Sequence, residues 1–223
     1  MLDYTVGSTP PAMSLLVATH MVMCPASRRL YDMLRGVGGV LLDTLGGEPL
    51  RGISAESVLA RADEAPGAAE RGGVAELDRP TAGGARPRGP VAKFGGTTPP
   101  GPLLELADEF ASESAWRSLG LGVAAVPLSV SIEGWRAHLL WAKPGLRIAK
   151  HTHQGQEAVL VLKGAFWDQG ERYGPGDVAV HDDATVHSPV IDRGEDCVCL
   201  AVTQSPVRFV GPLGWLLNRF CRF

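Results

Sequence analysis

The chain has 223 residues, 45% of them hydrophobic and 20% charged, with a formal net charge of −3. This is the balance of a soluble globular protein, and it gives no reason to expect direct nucleic-acid binding. No run of about 18 apolar residues offers a membrane span, and the N-terminus lacks a signal-peptide pattern, so the chain reads as cytoplasmic. Its four cysteines, Cys24, Cys197, Cys199 and Cys221, are too few for a secreted disulfide scaffold. Cys197 and Cys199 sit two apart in an apolar run where a bridge would be strained, so reduced thiols are expected.

Residues 12 to 45 carry apolar groups at helical spacing (Met13, Leu16, Val17, then Leu30, Met33, Leu34, then Leu41, Leu42, Leu45). Pro25 and the glycines at 36, 38 and 39 interrupt the pattern, which predicts two or three short helices. A further short helix is predicted over 54–64, opened by Ser54 as N-cap. Residues 66–101 are dominated by Gly, Ala, Pro and Arg and hold too little apolar material to offset the entropy of ordering, as in a flexible linker. Beyond residue 101 come short apolar runs separated by Gly, Pro and Asp: GVAAVPLSV, AHLLWA, AVLVL, DVAVH and CVCLAV. With no long helical pattern between them, these are strands of an antiparallel sandwich or small barrel. The organisation read from the chain is therefore α+β in two domains: helices over 1–65, a linker over 66–101, and a β domain over 102–223.

His151 and His153 are two apart, so in an extended strand they share a face, and Glu157 is within reach across a short turn. Two imidazoles and a carboxylate make a platform for a first-row divalent ion, and a second strand can add His187. Single histidines on strands are more often surface or satisfied core residues, and His138 and His181 are read that way. The run from Gly145 through His151, His153 and Glu157 to Gly164 matches the spacing of the first cupin motif. Tyr173-Gly-Pro-Gly-Asp177 followed by Thr185-Val-His187 resembles the second, more loosely, since Ile191 stands where the family often has asparagine. The resemblance implies a cupin β-barrel of the jelly-roll (double-stranded β-helix) kind with His151, His153, Glu157 and His187 as metal ligands. Zinc is the first expectation for the ion, with iron, manganese and nickel as alternatives.

The helical segment reads Leu15-Leu-Val-Ala-Thr-His20-Met-Val-Met-Cys24-Pro-Ala-Ser27. His20 and Cys24, four apart, lie on one helix face, a geometry that suits two ligands of one zinc ion. Together with VLVLKGAFWDQGERYGPGD, VHSPV and RGEDCVCLAVTQSPVRF, this segment resembles the ChrR-type anti-sigma factors, in which a zinc-binding helical domain precedes a cupin-like domain. The resemblance covers nearly the whole chain apart from the linker. It implies a regulator that sequesters an extracytoplasmic-function sigma factor and responds to stress through its cupin domain. This chain departs from the pattern at Ser27, where the family has a second cysteine, and it offers no counterpart to a more N-terminal histidine. Only His20 and Cys24 remain of four expected ligands, and two ligands hold zinc poorly. The other reading of the same residues is a metal-dependent, dioxygenase-like cupin enzyme acting on a small molecule. Cupins often pair through their barrels, so a homodimer is compatible with either reading.

Overall fold

Pro25 decides where the first long helix stops. Helix α1 (Leu2–Thr5) is a single turn, and α2 (Pro11–Met23) ends at Cys24. Cys24 is extended, at φ −119° and ψ 99°, because the residue before a proline is pushed out of the helical region. Pro25 then opens α3 (Pro25–Thr44), at a position where its missing N–H costs nothing. The glycines at 36, 38 and 39 do not break this helix, contrary to the interruption expected from the sequence: each weakens it by about 1 kcal/mol but leaves the backbone hydrogen bonds possible. Helix α4 (Ala55–Asp63) starts as the sequence predicts, with Ser54 Oγ accepting the Ser57 N–H at 3.2 Å.

The computed structural model describes residues 1–47, 54–63, 94, 98–120, 122–132, 134–211, 214 and 218. Most of the predicted linker, and Cys221, lie outside them. The chain divides into two compact units, one of Met1–Gly36 with Gly89–Phe223 and one of Val37–Arg88.

In the first unit, α5 (Gly101–Leu104) and α6 (Ala107–Phe110) lead into twelve strands: β1 (Arg117–Gly120), β2 (Val123–Pro127), β3 (Arg136–Ala142), β4 (His151–Thr152), β5 (Glu157–Lys163), β6 (Phe166–Asp168), β7 (Glu171–Tyr173), β8 (Val178–His181), β9 (Val186–His187), β10 (Val190–Ile191), β11 (Cys197–Thr203) and β12 (Arg208–Phe209). They form a six-stranded sheet, β1-β2-β3-β11-β5-β8, and two three-stranded sheets, β10-β6-β7 and β12-β4-β9. All five apolar runs singled out in the sequence become strands of the large sheet.

β11 lies between β3 and β5 and is buried along its whole length, which is why CVCLAV reads as a continuous apolar run rather than an alternating one. The alternation survives in direction. Val198, Leu200 and Val202 share a core with Leu139, Leu160 and, from α2, Ala12 and Leu16. Cys197 and Cys199 point to the other face, with Ala142 and Val161. Helix α2 therefore packs on the sheet itself, its Ala12 and Leu16 side chains, four apart on one helix face, covering the apolar face that the sheet turns away from the second core. Phe94, within the predicted linker stretch, is buried in the same core, its ring 5.8 Å from that of Phe110.

Along α3, Leu30, Met33, Val37, Val40 and Leu41 are exposed and recur at helical spacing, an apolar stripe on one side of the helix. No helix among the described residues is long and apolar enough to cross a membrane.

Candidate metal centre

Strand register brings the candidate ligands together. β4 pairs with β9 so that His151 stands directly opposite His187, and β5 pairs with β8 so that Glu157 stands opposite His181. His153 follows β4 in the short connection to β5. The ligand atoms of His151, His153, Glu157 and His187 all lie within 4.8 Å of one another, and all four residues are buried. Donors at about 2.0–2.2 Å from a common ion are separated by roughly 3–4 Å, so the group has the size of a coordination sphere.

Hydrogen bonds orient the rings. His151 Nδ1–H donates to the Ala149 carbonyl at 2.8 Å, which leaves its Nε2 lone pair free. His187 Nδ1–H donates to Asp168 Oδ2 at 2.7 Å, with the same result. An imidazole held at one nitrogen by a carbonyl or carboxylate is how proteins aim the other nitrogen at a metal. His187 Nε2 faces His153 Nε2 at 2.9 Å, and His153 Nε2 lies 3.1 Å from Glu157 Oε2. The remaining nitrogen of His153, Nδ1, is buried with no partner.

The ionisation states suit the same purpose. Burial pushes the His151 imidazole down to about 4, against the Ala149 carbonyl that pulls it up, and burial likewise lowers His153, so both are neutral, ligand-ready rings at neutral pH. Burial drives Glu157 up, but the hydrogen bond from His181 and the neighbouring imidazoles outweigh it, and its carboxyl titrates below the usual range. The buried group can hold a metal ion.

Two further residues belong to the cluster. Asp168, at the end of β6, receives His187 Nδ1–H and lies 2.9 Å from His181 Nε2, and these three also form a compact ligand-type group. His181, read from the sequence as a surface or satisfied core residue outside the ligand set, is buried inside the cluster, where it bridges Asp168 to Glu157 Oε2 at 3.3 Å. Burial lowers its pKa and the two carboxylates more than restore it. Asp168 was not singled out from the sequence. The available signal was strand alternation: Phe166 and Asp168 are buried and Trp167 between them is exposed. His138 is buried on β3 and belongs to neither ligand-type group, and burial followed by Arg136 lowers its pKa to about 4.

The N-terminal pair is arranged differently. His20 Nδ1–H donates to the Gly176 carbonyl at 2.8 Å, and His20 Nε2 accepts from Ser27 Oγ at 2.8 Å. Both ring nitrogens are thus engaged, and neither His20 nor Cys24 joins a group of three metal-type ligands among the described residues. Cys24 is a half-buried free thiol whose pKa the Ser27 hydroxyl lowers.

A cupin-like β domain with a buried cluster of three histidines and a glutamate, preceded by helices packed on its large sheet, is the class of protein defined here. The family model described as the ChrR cupin-like domain matches residues 110–207. The anti-sigma-E factor ChrR of Cereibacter sphaeroides is 36% identical over 98% of this chain and 93% of its own. The crystal structure of Rhodobacter sphaeroides SigE in complex with the anti-sigma ChrR matches with a TM-score of 0.68 and 34% identity, covering 91% of this chain and 93% of that one. The chain belongs to the ChrR family.

Proposed function

We propose that the protein is a cytoplasmic anti-sigma factor that sequesters an extracytoplasmic-function sigma factor and releases it in response to stress sensed at the buried metal cluster. The observation that carries this reading is the length of the similarity: it runs through the helices as well as the strands, and the matched chain is an anti-sigma factor crystallised with its sigma factor. A dioxygenase-like enzyme would need the strands alone.

In this reading residues 1–65 capture the sigma factor, 66–101 tether, and 102–223 form one jelly-roll barrel that holds the ion. Hydrogen bonds between the segment before β4 and β10, Ile148 N–H to the Pro189 carbonyl and Ile191 N–H to the Leu146 carbonyl, both at 2.8 Å, support joining the sheets in this way. The capture surface includes the exposed stripe of α3, whose apolar side chains are suited to anchor in a partner and mask it sterically. His151, His153, Glu157 and His187 hold the ion, taken to be zinc, with Asp168 orienting His187. When bound, the ion supplies charge and Lewis acidity in an otherwise apolar interior. The residues around it fix the ring orientations and exclude water.

Co-purification of the encoded sigma factor with a tagged full-length chain tests this. Stoichiometric capture is expected, with loss of at least tenfold in affinity in a Met33→Asp, Val37→Asp double variant whose thermal stability is unchanged. Failure to capture any sigma factor of this class overturns the reading.

A further inference from the structure

The large sheet has α2 on one face and, on the other, a cavity of about 450 Å³. That is the size of a small-molecule site, about 300–1,000 Å³. Its walls are apolar, with Leu140 of β3, Val159 of β5, Phe166 of β6 and Ile191 of β10 among them. Cys197 and Cys199 add two free thiols, Sγ atoms 3.5 Å apart, which behave here as small apolar groups. The polar lining is gathered in one place, at His151, Glu157, His181 and His187, all buried, while Arg147 lies on the exposed side. Glu157 and Val159 are two apart on β5 and face the cavity together, so an occupant lying over Val159 ends about 7 Å away at the metal group.

This geometry fixes the chemistry of an occupant. The walls offer no partner to a polar body, and a polar body buried without partners is costly. A divalent ion on three imidazoles and the Glu157 carboxylate keeps one formal positive charge in its coordination sphere, with room for a further oxygen donor. The geometry points to a monocarboxylate with a medium-length hydrocarbon chain as the ligand of this cavity, its carboxylate on the metal group and its chain along Val159 and Leu140. The inference rests on the metal assignment proposed above and adds a ligand class to it.

Calorimetric titration of the zinc-loaded full-length chain with octanoate, 1-octanol and acetate, with zinc content measured on the same samples, tests it. One octanoate per chain is expected, binding at least tenfold more tightly than octanol, which lacks the head, or acetate, which lacks the chain. Val159→Trp, which fills the cavity, is expected to retain zinc and lose octanoate binding at least tenfold. Removal of zinc is expected to weaken octanoate to the level of octanol. Zinc bound without octanoate binding, or octanol equal to octanoate, overturns the ligand and leaves the metal assignment standing. A chain that takes up no zinc overturns both. If Val159→Trp does not fold, the comparison of the three probes on the unaltered chain decides.

Discussion

Asp168 shows how much of the cluster depends on a residue that is not a ligand in the proposed set. Its carboxylate holds His187 Nδ1–H at 2.7 Å and so fixes which nitrogen of His187 faces the other ligands. Asp168→Asn keeps the shape but removes the charge, and it also presents an amide that can turn its NH2 toward the ring. Zinc affinity, measured by competition with a chromophoric chelator, is expected to fall about 10–100-fold, the usual cost of losing such a partner, and His153→Ala is expected to lose more. Equal affinity in Asp168→Asn and the parent would remove Asp168 from the site. A different pH response is built into His138, which is buried beside β11. Its folded pKa of about 4 lies below the ordinary value of 6.5, through burial first and Arg136 second. The unfolded chain therefore binds the proton more readily. The contribution is intact above about pH 6.5 and is lost as pH falls towards 4, at about 1.4 kcal/mol per pH unit. In metal-free protein, the melting temperature of His138→Gln is expected to fall less between pH 7 and pH 5 than that of the parent. An identical fall in both would show that His138 does not contribute to the acid sensitivity.

Among the elements, the glycines of the first cupin-like motif have a mechanical reason to be there. Gly164 turns β5 into β6 at φ +69°, and a Cβ at this position would strike the Asp196 carbonyl oxygen. Gly170, at φ +89° in the next turn, has open space around it. Both alanine substitutions carry the cost of a left-handed residue, about 1 kcal/mol or more, and only Gly164→Ala adds a backbone collision. Denaturant unfolding should therefore show a larger loss for Gly164→Ala, and equal losses would mean that the Asp196 backbone yields freely. The same elements show what could be read in advance. Five of the six strands of the large sheet were legible because each carries an apolar run of strand length, which β1 lacks, and His151, His153 and Glu157 because a strand periodicity of two and a pair of glycines frame them. The two-residue strands β4, β9, β10 and β12 are too short to leave a period. His181 and Asp168 join the cluster through the pairing of β8 with β5 and of β6 with β10, and a lone residue in a sequence does not declare its cross-strand neighbour. Helix α2 was legible as a helix, but periodicity tells which face is apolar and not which sheet will cover it.

On the scale of the molecule, the large sheet is the common wall between helix α2 and the buried cluster. The cluster and its cavity occupy one side, and α2, which leads into the stripe-bearing α3, is seated on the other. A second link runs through the turn that opens β8. The Gly176 carbonyl in that turn accepts from His20 of α2, His20 in turn accepts from Ser27 at the start of α3, and β8 ends at His181 within the cluster. Ser27, which departs from the zinc-binding pattern, and His20, which keeps to it, thus tie the helices to the strand that ends at His181. If the cluster governs capture, chelating the metal from the full chain should weaken sigma-factor binding by about tenfold, within the usual 1–3 kcal/mol of coupling between sites, and zinc should restore it. His20→Ala should shrink that difference while leaving zinc content and the fold as they are, because it cuts the link and neither partner site. Biolayer interferometry on the four states, parent and variant with and without zinc, separates the possibilities. Equal binding with and without zinc in the parent would leave capture intact and deny the cluster its sensing role, whereas an undiminished zinc effect in His20→Ala would route the coupling through the shared core of α2 and β11 instead.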